Sequence, residues 1–221
     1  MALSAPNDPV DVCNIALSYL AEDFVTDIDT PPTGDDTAAL CKLHYPKVRR
    51  ALLRAHPWNF AIKRAVLAAD STAPLFGFTT RYAVPGDFLR YLSKHDALGN
   101  RTLIEPIEGT DYQFESGYLL TGDTADGALR IRYIYDNEVV STWDDLFIDL
   151  MAVKLALSLA RNFKSAPRAI DDLKHTLREL QAEAKAIDGQ ERPPIRVQRS
   201  KFLSARRNRS STVASKYTKF D

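Results

Sequence analysis

The sequence of 221 residues predicts a mainly α-helical fold, a four-helix-type bundle with an inserted small antiparallel β lobe and an extended C-terminal arm. Three observations predict it. Apolar residues recur at spacings of three and four before residue 57 and after residue 137, and short apolar runs separated by turn residues lie between these regions. Beyond residue 189 no periodic apolar face remains. We therefore expect a bundle formed by 1–57 and 137–189, a β lobe at 58–136 and an arm at 190–221.

Two helices are predicted before the β lobe. The first spans about 9–22, with Asp8 as its N-cap and a proline at its first position. The acidic stretch 23–36 contains two consecutive prolines and a glycine, so it is expected to be an exposed loop. The second helix begins at residue 35 or 36 and ends at His56-Pro57. Because Pro46 lies inside its apolar pattern, we expect either a kink or two abutting helices.

The β lobe is predicted from five short apolar runs. In the last of them, the apolar residues at 129, 131, 133 and 135 face one side, and Arg130 and Arg132 face the other. This alternation is the period-two pattern of a half-buried strand. The five runs are 58–61, 81–84, 88–92, 118–120 and 128–135.

Two more helices are predicted after the lobe. Thr142 is the expected cap of the first helix, which has acids in its first turn. Residues 146–159 of this helix are apolar almost all round, which is typical of a helix at the centre of a bundle. Ser165 is the expected cap of the second, which carries a narrow apolar stripe and ends at Gly189.

The charges divide unevenly between body and arm. From residue 192 onward nine basic residues face one acid, which leaves 20 basic and 28 acidic residues in the body. Residues 192–221 therefore carry a net charge of +8, and residues 1–191 carry −8. Alone, the arm cannot bury enough apolar area to offset roughly 1 to 2 kcal/mol of backbone entropy per residue. We expect it to become ordered on a partner.

No residue pattern predicts chemistry. The histidines at 44, 56, 95 and 175 have no neighbouring nucleophile or carboxylate in a catalytic motif, so they are interpreted as surface or capping residues. The acid pairs 35–36, 144–145 and 171–172 fall at predicted helix starts, where acids favour the helix dipole. Cys13 and Cys41 lack zinc-ligand spacing and are interpreted as reduced, buried packing residues. We predict no enzyme activity, cofactor or metal, and neither a signal peptide nor a transmembrane helix.

Two stretches have an order and spacing that resemble a known family. The first is VRRALLRAHPWNFA at 48–61, and the second is YAVPGDFLR at 82–90. A helix at 14–20 precedes them, and the strand IRYI at 131–134 follows. Over residues 8–187 the chain resembles the tail tubular protein A family of short-tailed phages and related head-to-tail adaptors. Each stretch alone is explained by packing, and the specificity lies in their order.

The resemblance implies a helical bundle with an inserted β lobe and a structural role without turnover. It implies a virion protein of the tail or connector, present in the host cytoplasm during assembly. Twelve copies would form a ring between the portal protein above and a tail nozzle or tail tube protein below. The ring would dock the tail onto a filled head and conduct viral DNA during ejection without reading its sequence, and no membrane would be involved.

The resemblance also suggests where the portal is contacted, because a C-terminal extension commonly reaches the portal in such adaptors. The predicted interface residues are three apolar anchors and three arginines that would meet an acidic portal surface: Phe202, Tyr217, Phe220, Arg206, Arg207 and Arg209. The alternative function is a nucleic-acid-binding protein acting through the same basic arm, since nine cations can support salt-dependent binding to phosphates.

Overall fold

The structure is a computed structural model that describes residues 7–30, 34, 36–95, 112–122, 127–163 and 166–191. Residues up to Gly189 form one compact unit, and only the first two residues of the second unit, 190–221, are described. The described residues form four helices: α1 (Pro9–Ser18), α2 (Asp36–Ala55), α3 (Asp145–Leu159) and α4 (Pro167–Gln190). Six strands lie between α2 and α3: β1 (Ile62–Ala68), β2 (Thr80–Ala83), β3 (Phe88–His95), β4 (Gln113–Glu115), β5 (Tyr118–Thr121) and β6 (Ala128–Tyr135).

The strands make two antiparallel sheets of three strands each. Sheet A has the order β1-β6-β3, and sheet B has the order β2-β5-β4. In sheet A, β6 pairs with β1 along its length, from Ile62 opposite Ile134 to Ala68 opposite Ala128. The long strand β6 is therefore the central element of the β region.

The helices share one apolar core with α3 at its centre. Both α1 and α2 pack against α3, and nine of the 15 residues of α3 are buried. The core also takes residues from α4, whose Leu173 and Ala184 are buried and whose Leu177 and Leu180 pack partly against it. The expectation of a central, nearly all-apolar helix is confirmed.

Sheet A has apolar contacts on both of its faces. Ile134 and Leu89 are buried in the helical core. On the other side, residues of both sheets form a second buried cluster, which consists of Leu67, Tyr82, Leu119, Leu129, Ile131 and Tyr133. The pairing of β3 with β6 shifts between Phe88 and Arg90, and such an irregularity lets the intervening Leu89 face the helices.

The predicted fold class, mainly α with a small β lobe, is wrong. The protein is a mixed α/β fold with four helices and two three-stranded sheets. The sheets are more than an appendage because sheet A contributes Ile134 and Leu89 directly to the helical core. The alternation of buried and exposed residues in β6 does not predict this contribution, because Ile134 departs from the period of two.

The helix boundaries agree with the prediction at some ends and differ at others. Asp8 caps α1 as expected: its carboxylate accepts from the Asp11 amide at 2.9 Å. The helix ends at Ser18, before the predicted residue 22, and Ala21 adopts a left-handed φ of 56°. Helix α2 runs unbroken through Pro46, so two abutting helices are not formed.

Two predicted caps differ. Asp144, not Thr142, caps α3 by accepting from the Leu146 amide at 2.9 Å, while residues 140–142 form a 3-10 turn. Helix α4 already begins at Pro167, so the acids at 171–172 are not at its start. Ser165 lies outside the described residues.

The strand predictions are confirmed for 81–84, 118–120 and 128–135 within one residue, and for 88–92, although that strand continues three residues further to His95. Residues 58–61 are not a strand, because Asn59–Ala61 form a 3-10 turn. Strands β1 and β4 were not predicted. Both are edge strands, and neither has a clean alternation of buried and exposed residues.

Cys13 and Cys41 meet in the core between α1 and α2. Both are fully buried, and a hydrogen bond joins the two side chains. That bond and burial raise the pKa of the Cys13 thiol far above its ordinary value. The expectation of buried packing residues is confirmed.

Candidate functional site

The predicted portal-contacting residues cannot be placed. All six belong to residues 192–221, which lie outside the described part of the chain: Phe202, Arg206, Arg207, Arg209, Tyr217 and Phe220. The described body contains the two stretches that carry the family resemblance, 48–61 and 82–90.

The stretch 48–61 contains a buried arginine, Arg49, that forms a charge cluster with two acids. Arg49 donates to both carboxylate oxygens of Asp136, from Nε at 2.9 Å and from Nη2 at 3.0 Å. Its Nη2 also donates to Glu138 at 2.6 Å. The Arg49 side chain is 7% exposed, whereas that of the neighbouring Arg50 is 59% exposed. The buried arginine thus fastens α2 to the segment that follows β6.

The same stretch holds the end of α4. His56 Nε2 lies 2.9 Å from the Asp188 carboxylate, and the Asn59 amide nitrogen donates to the other oxygen of that carboxylate at 2.7 Å. The Asn59 side chain donates to the Asp188 carbonyl at 2.9 Å. Trp58 is buried and donates from its indole to the Leu52 carbonyl at 3.1 Å. The segment HPWN, residues 56–59, therefore binds the C-terminal end of α4.

The second stretch, 82–90, forms a turn, and the Asp87 side chain in this turn binds two residues of sheet A. The Phe88 amide donates to the Pro85 carbonyl at 3.0 Å, which confirms the turn. The Asp87 carboxylate accepts from Tyr133 at 3.1 Å and from Lys63 at 2.8 Å. Burial and this carboxylate raise the pKa of Tyr133 to about 12. Both stretches therefore join elements that are distant in the chain, and Arg49, Asn59 and Asp87 bind protein partners.

The loop between β1 and β2 presents apolar side chains to solvent. Leu75 is 98% exposed and Phe76 is 86% exposed; we call these two residues the apolar tip. An open cavity of about 350 Å³ lies beside the tip and is lined in part by Phe78, Tyr118 and Leu120. Large apolar side chains this exposed are typical of contact surfaces when they cluster.

The base of this loop is held by charge. Asp70 pairs with Arg81 at 3.1 Å, and its carboxylate accepts from the Thr72 amide at 2.8 Å. Those two interactions, the Thr72 hydrogen bond first, lower the pKa of Asp70. The Arg81 guanidinium lies 4.5 Å from the centre of the Tyr118 ring. An ordered base therefore supports an exposed tip.

The histidines and acids form no metal-binding cluster in the described ranges. No group of three or more His, Cys, Asp and Glu residues there could hold a metal ion. His175 makes an exposed contact with Glu179 at 3.3 Å, and the His95 side chain is not among those described. In the same part of the chain, no helix combines the length and the apolar character that crossing a bilayer requires.

No protein-family model matches this chain, and no curated protein is significantly similar to it.

Sequence reasoning missed the apolar tip and the Arg49 cluster. The tip sits in a run of turn residues between a missed strand and a predicted one, so its exposure had no periodic signal. The pattern APLFGF itself, with large apolar residues between Pro74 and Gly77, is the local signal for it.

Proposed function

We propose that this chain is a structural adaptor of a tailed-phage virion, which forms a ring beneath the portal and joins the tail to the filled head. Its work is to bind two partners and itself, and DNA passes through the ring without being read.

The observation that carries the proposal is that large apolar side chains are exposed on the surface of the body, apart from its buried core. An adaptor needs contact surfaces for different partners, and the body presents Leu75 and Phe76 on an ordered loop base. Beyond the body, residues 192–221 add a charge of +8 and scattered apolar residues. Exposed large apolar side chains beside polar surroundings mark interaction sites.

The stretches that resemble the adaptor family support the same proposal. Arg49, His56 and Asp87 each hold two distant elements together. Residues with this role maintain the shape of a scaffold. The resemblance therefore rests on residues that a structural protein needs.

The experiment that tests the proposal disrupts the gene in the phage that encodes it. We expect filled heads without tails to accumulate, and the intact chain supplied in trans to restore tailed particles, as counted by electron microscopy. If particles lacking the protein are tailed and infectious, the proposal fails.

The basic arm also favours a second function, nucleic-acid binding. Its nine cations would give tight binding to duplex DNA that weakens steeply with salt. For an adaptor we expect weak DNA binding, because a channel that must release DNA gains nothing from holding phosphates. Fluorescence anisotropy with duplex DNA at two salt concentrations separates the two functions.

A further inference from the structure

A basic groove lies between α2 and α3. It has a volume of about 500 Å³ and takes Lys47 from α2 and Lys154 and Arg161 from α3 and the residues after it. Its apolar lining comes from Val48, Ala51 and Leu157. Among the described residues that line it there is no carboxylate. A concave surface with apolar and cationic lining suits an acidic partner that carries an apolar side chain.

A surface of opposite charge lies on the α1 side of α3. Asp149 is exposed there. Tyr19 is the C-cap of α1, which packs on α3, and burial together with the Asp149 carboxylate raises the pKa of Tyr19. The chain continues from Tyr19 into Glu22, Asp23 and Phe24, of which Phe24 is 68% exposed. We call these five residues the acidic flank.

The groove and the acidic flank lie on different sides of α3. At 3.6 residues per turn, Lys154 is rotated about 140° and Ser158 about 180° around the helix axis from Asp149. The packing agrees, since the flank includes the end of α1 and the groove is formed with α2, and both helices pack on α3.

The acidic flank is an ordered surface. Asn14 of α1 clamps the backbone of Val25, donating to its carbonyl at 3.0 Å and accepting from its amide at 2.8 Å. Val25 and Ile28 are buried in the core. Asp27 accepts hydrogen bonds from both the amide and the hydroxyl of Thr30. Phe24 is therefore held outward beside buried neighbours.

We propose that the acidic flank of one copy docks into the basic groove of the next copy, so that copies associate head to tail. The occupant is a second copy because the charges are complementary and because the two surfaces face different ways. A contact between two different surfaces of identical chains is heterologous and generates rings when the rotation closes. Phe24 would be the apolar anchor against Val48 and Leu157. This inference rests on the proposed function for the ring itself, but the pairwise contact does not need the portal.

The test cross-links the full-length chain through engineered cysteines. Thr26 is exposed beside Phe24, and Ala51 is exposed in the groove, while both native cysteines are buried. A chain carrying Thr26→Cys and Ala51→Cys should give a ladder of trimers and longer products on mild oxidation, because each disulfide traps a contact that the free chain makes only transiently. A chain with only one of the two engineered cysteines should give no product beyond a dimer.

Charge reversal then decides whether the groove and flank are the contact. In the double-cysteine chain, Lys154→Glu should reduce the ladder by about tenfold or more. Adding Asp149→Lys to the same chain should restore it, because the attraction is rebuilt with the charges exchanged. Arg178→Glu, an exposed charge reversal on α4, is the matched control and should leave the ladder unchanged.

Three results would overturn the inference: the double-cysteine chain gives no ladder, Lys154→Glu leaves the ladder intact, or Asp149→Lys fails to restore it. Salt-dependent binding of duplex DNA that is lost in Lys154→Glu would assign the groove to phosphates and also overturn it. If the reversals behave as expected but the phage needs no such protein for tail joining, the contact stands and the proposed function falls. If tail joining depends on the protein but the ladder ignores both reversals, the function stands and this contact falls.

Discussion

Arg49 is a buried guanidinium whose charge is balanced by two carboxylates, Asp136 and Glu138. Asp136 is itself only 15% exposed, so removing the arginine leaves a largely desolvated acid with little to pair it. The exposed Arg50 reaches the same acid only at 3.6 Å.

We therefore expect Arg49→Ala to lower the free energy of unfolding by about 3 to 5 kcal/mol, because breaking a buried ion pair strands the other charge. Arg50→Ala is the matched control and should change it by no more than about 1 kcal/mol. Urea denaturation measures both. Equal losses in the two variants would mean that burial at Arg49 contributes nothing.

The cysteine pair gives a second prediction at this scale. The thiolate is the reactive form, and burial with the Cys41 contact keeps Cys13 protonated. In the native protein both thiols should resist Ellman's reagent at pH 8, and unfolding in urea should release two reactive thiols per chain. Thr26→Cys should add one thiol that reacts at once. Fast labelling of the native wild-type chain would contradict the buried pair.

At the scale of elements, we expect the loop from β1 to β2 to contribute to partner binding but not to the stability of the fold. The double change Leu75→Ser and Phe76→Ser removes side chains that are 98% and 86% exposed, so the melting temperature should change by less than about 2 °C. Tail joining should fall several-fold, because the apolar contact surface is lost.

Thr79→Ala, an exposed change at the end of the same loop, should leave both stability and tail joining unaltered. Normal tail joining in the double variant would remove the apolar tip from the list of contact surfaces.

The elements also show what sequence periodicity can and cannot predict. Helix α3 was predictable because its sequence is apolar almost all round, and strand β6 because its residues alternate up to Tyr133. Strand β4 has three exposed residues, so it has no burial pattern to detect. The junctions were out of reach for another reason: Arg49 and Asp136 are 87 residues apart, and His56 and Asp188 are 132 apart. Local spacing contains no information about such pairs.

For the whole molecule, the division between body and arm predicts separable effects of truncation. Ending the chain after Glu191 keeps α4 and the Asp188 contacts with His56 and Asn59. We expect the melting temperature to stay within about 2 °C of that of the full chain and tail joining to fail. Markedly earlier unfolding would mean that the arm belongs to the core.

Within the arm, alanine at an apolar anchor should weaken portal binding more than alanine at one arginine. Phe202 and Tyr217 would lose buried apolar contact, whereas Arg206 would mainly affect association rate and salt sensitivity. Surface binding to immobilised portal protein measures both rate constants. A larger loss at Arg206 than at either aromatic would reverse the assignment of anchors.

The most direct test of the adaptor proposal is electron microscopy of the purified chain mixed with the portal protein from the same genome. The account predicts that the free chain is a monomer or small oligomer and that a ring coaxial with the portal appears on mixing, with a channel wall that is neutral to acidic because the body carries −8. Portals without an added ring, or a ring whose channel is densely lined with arginine and lysine, would contradict it.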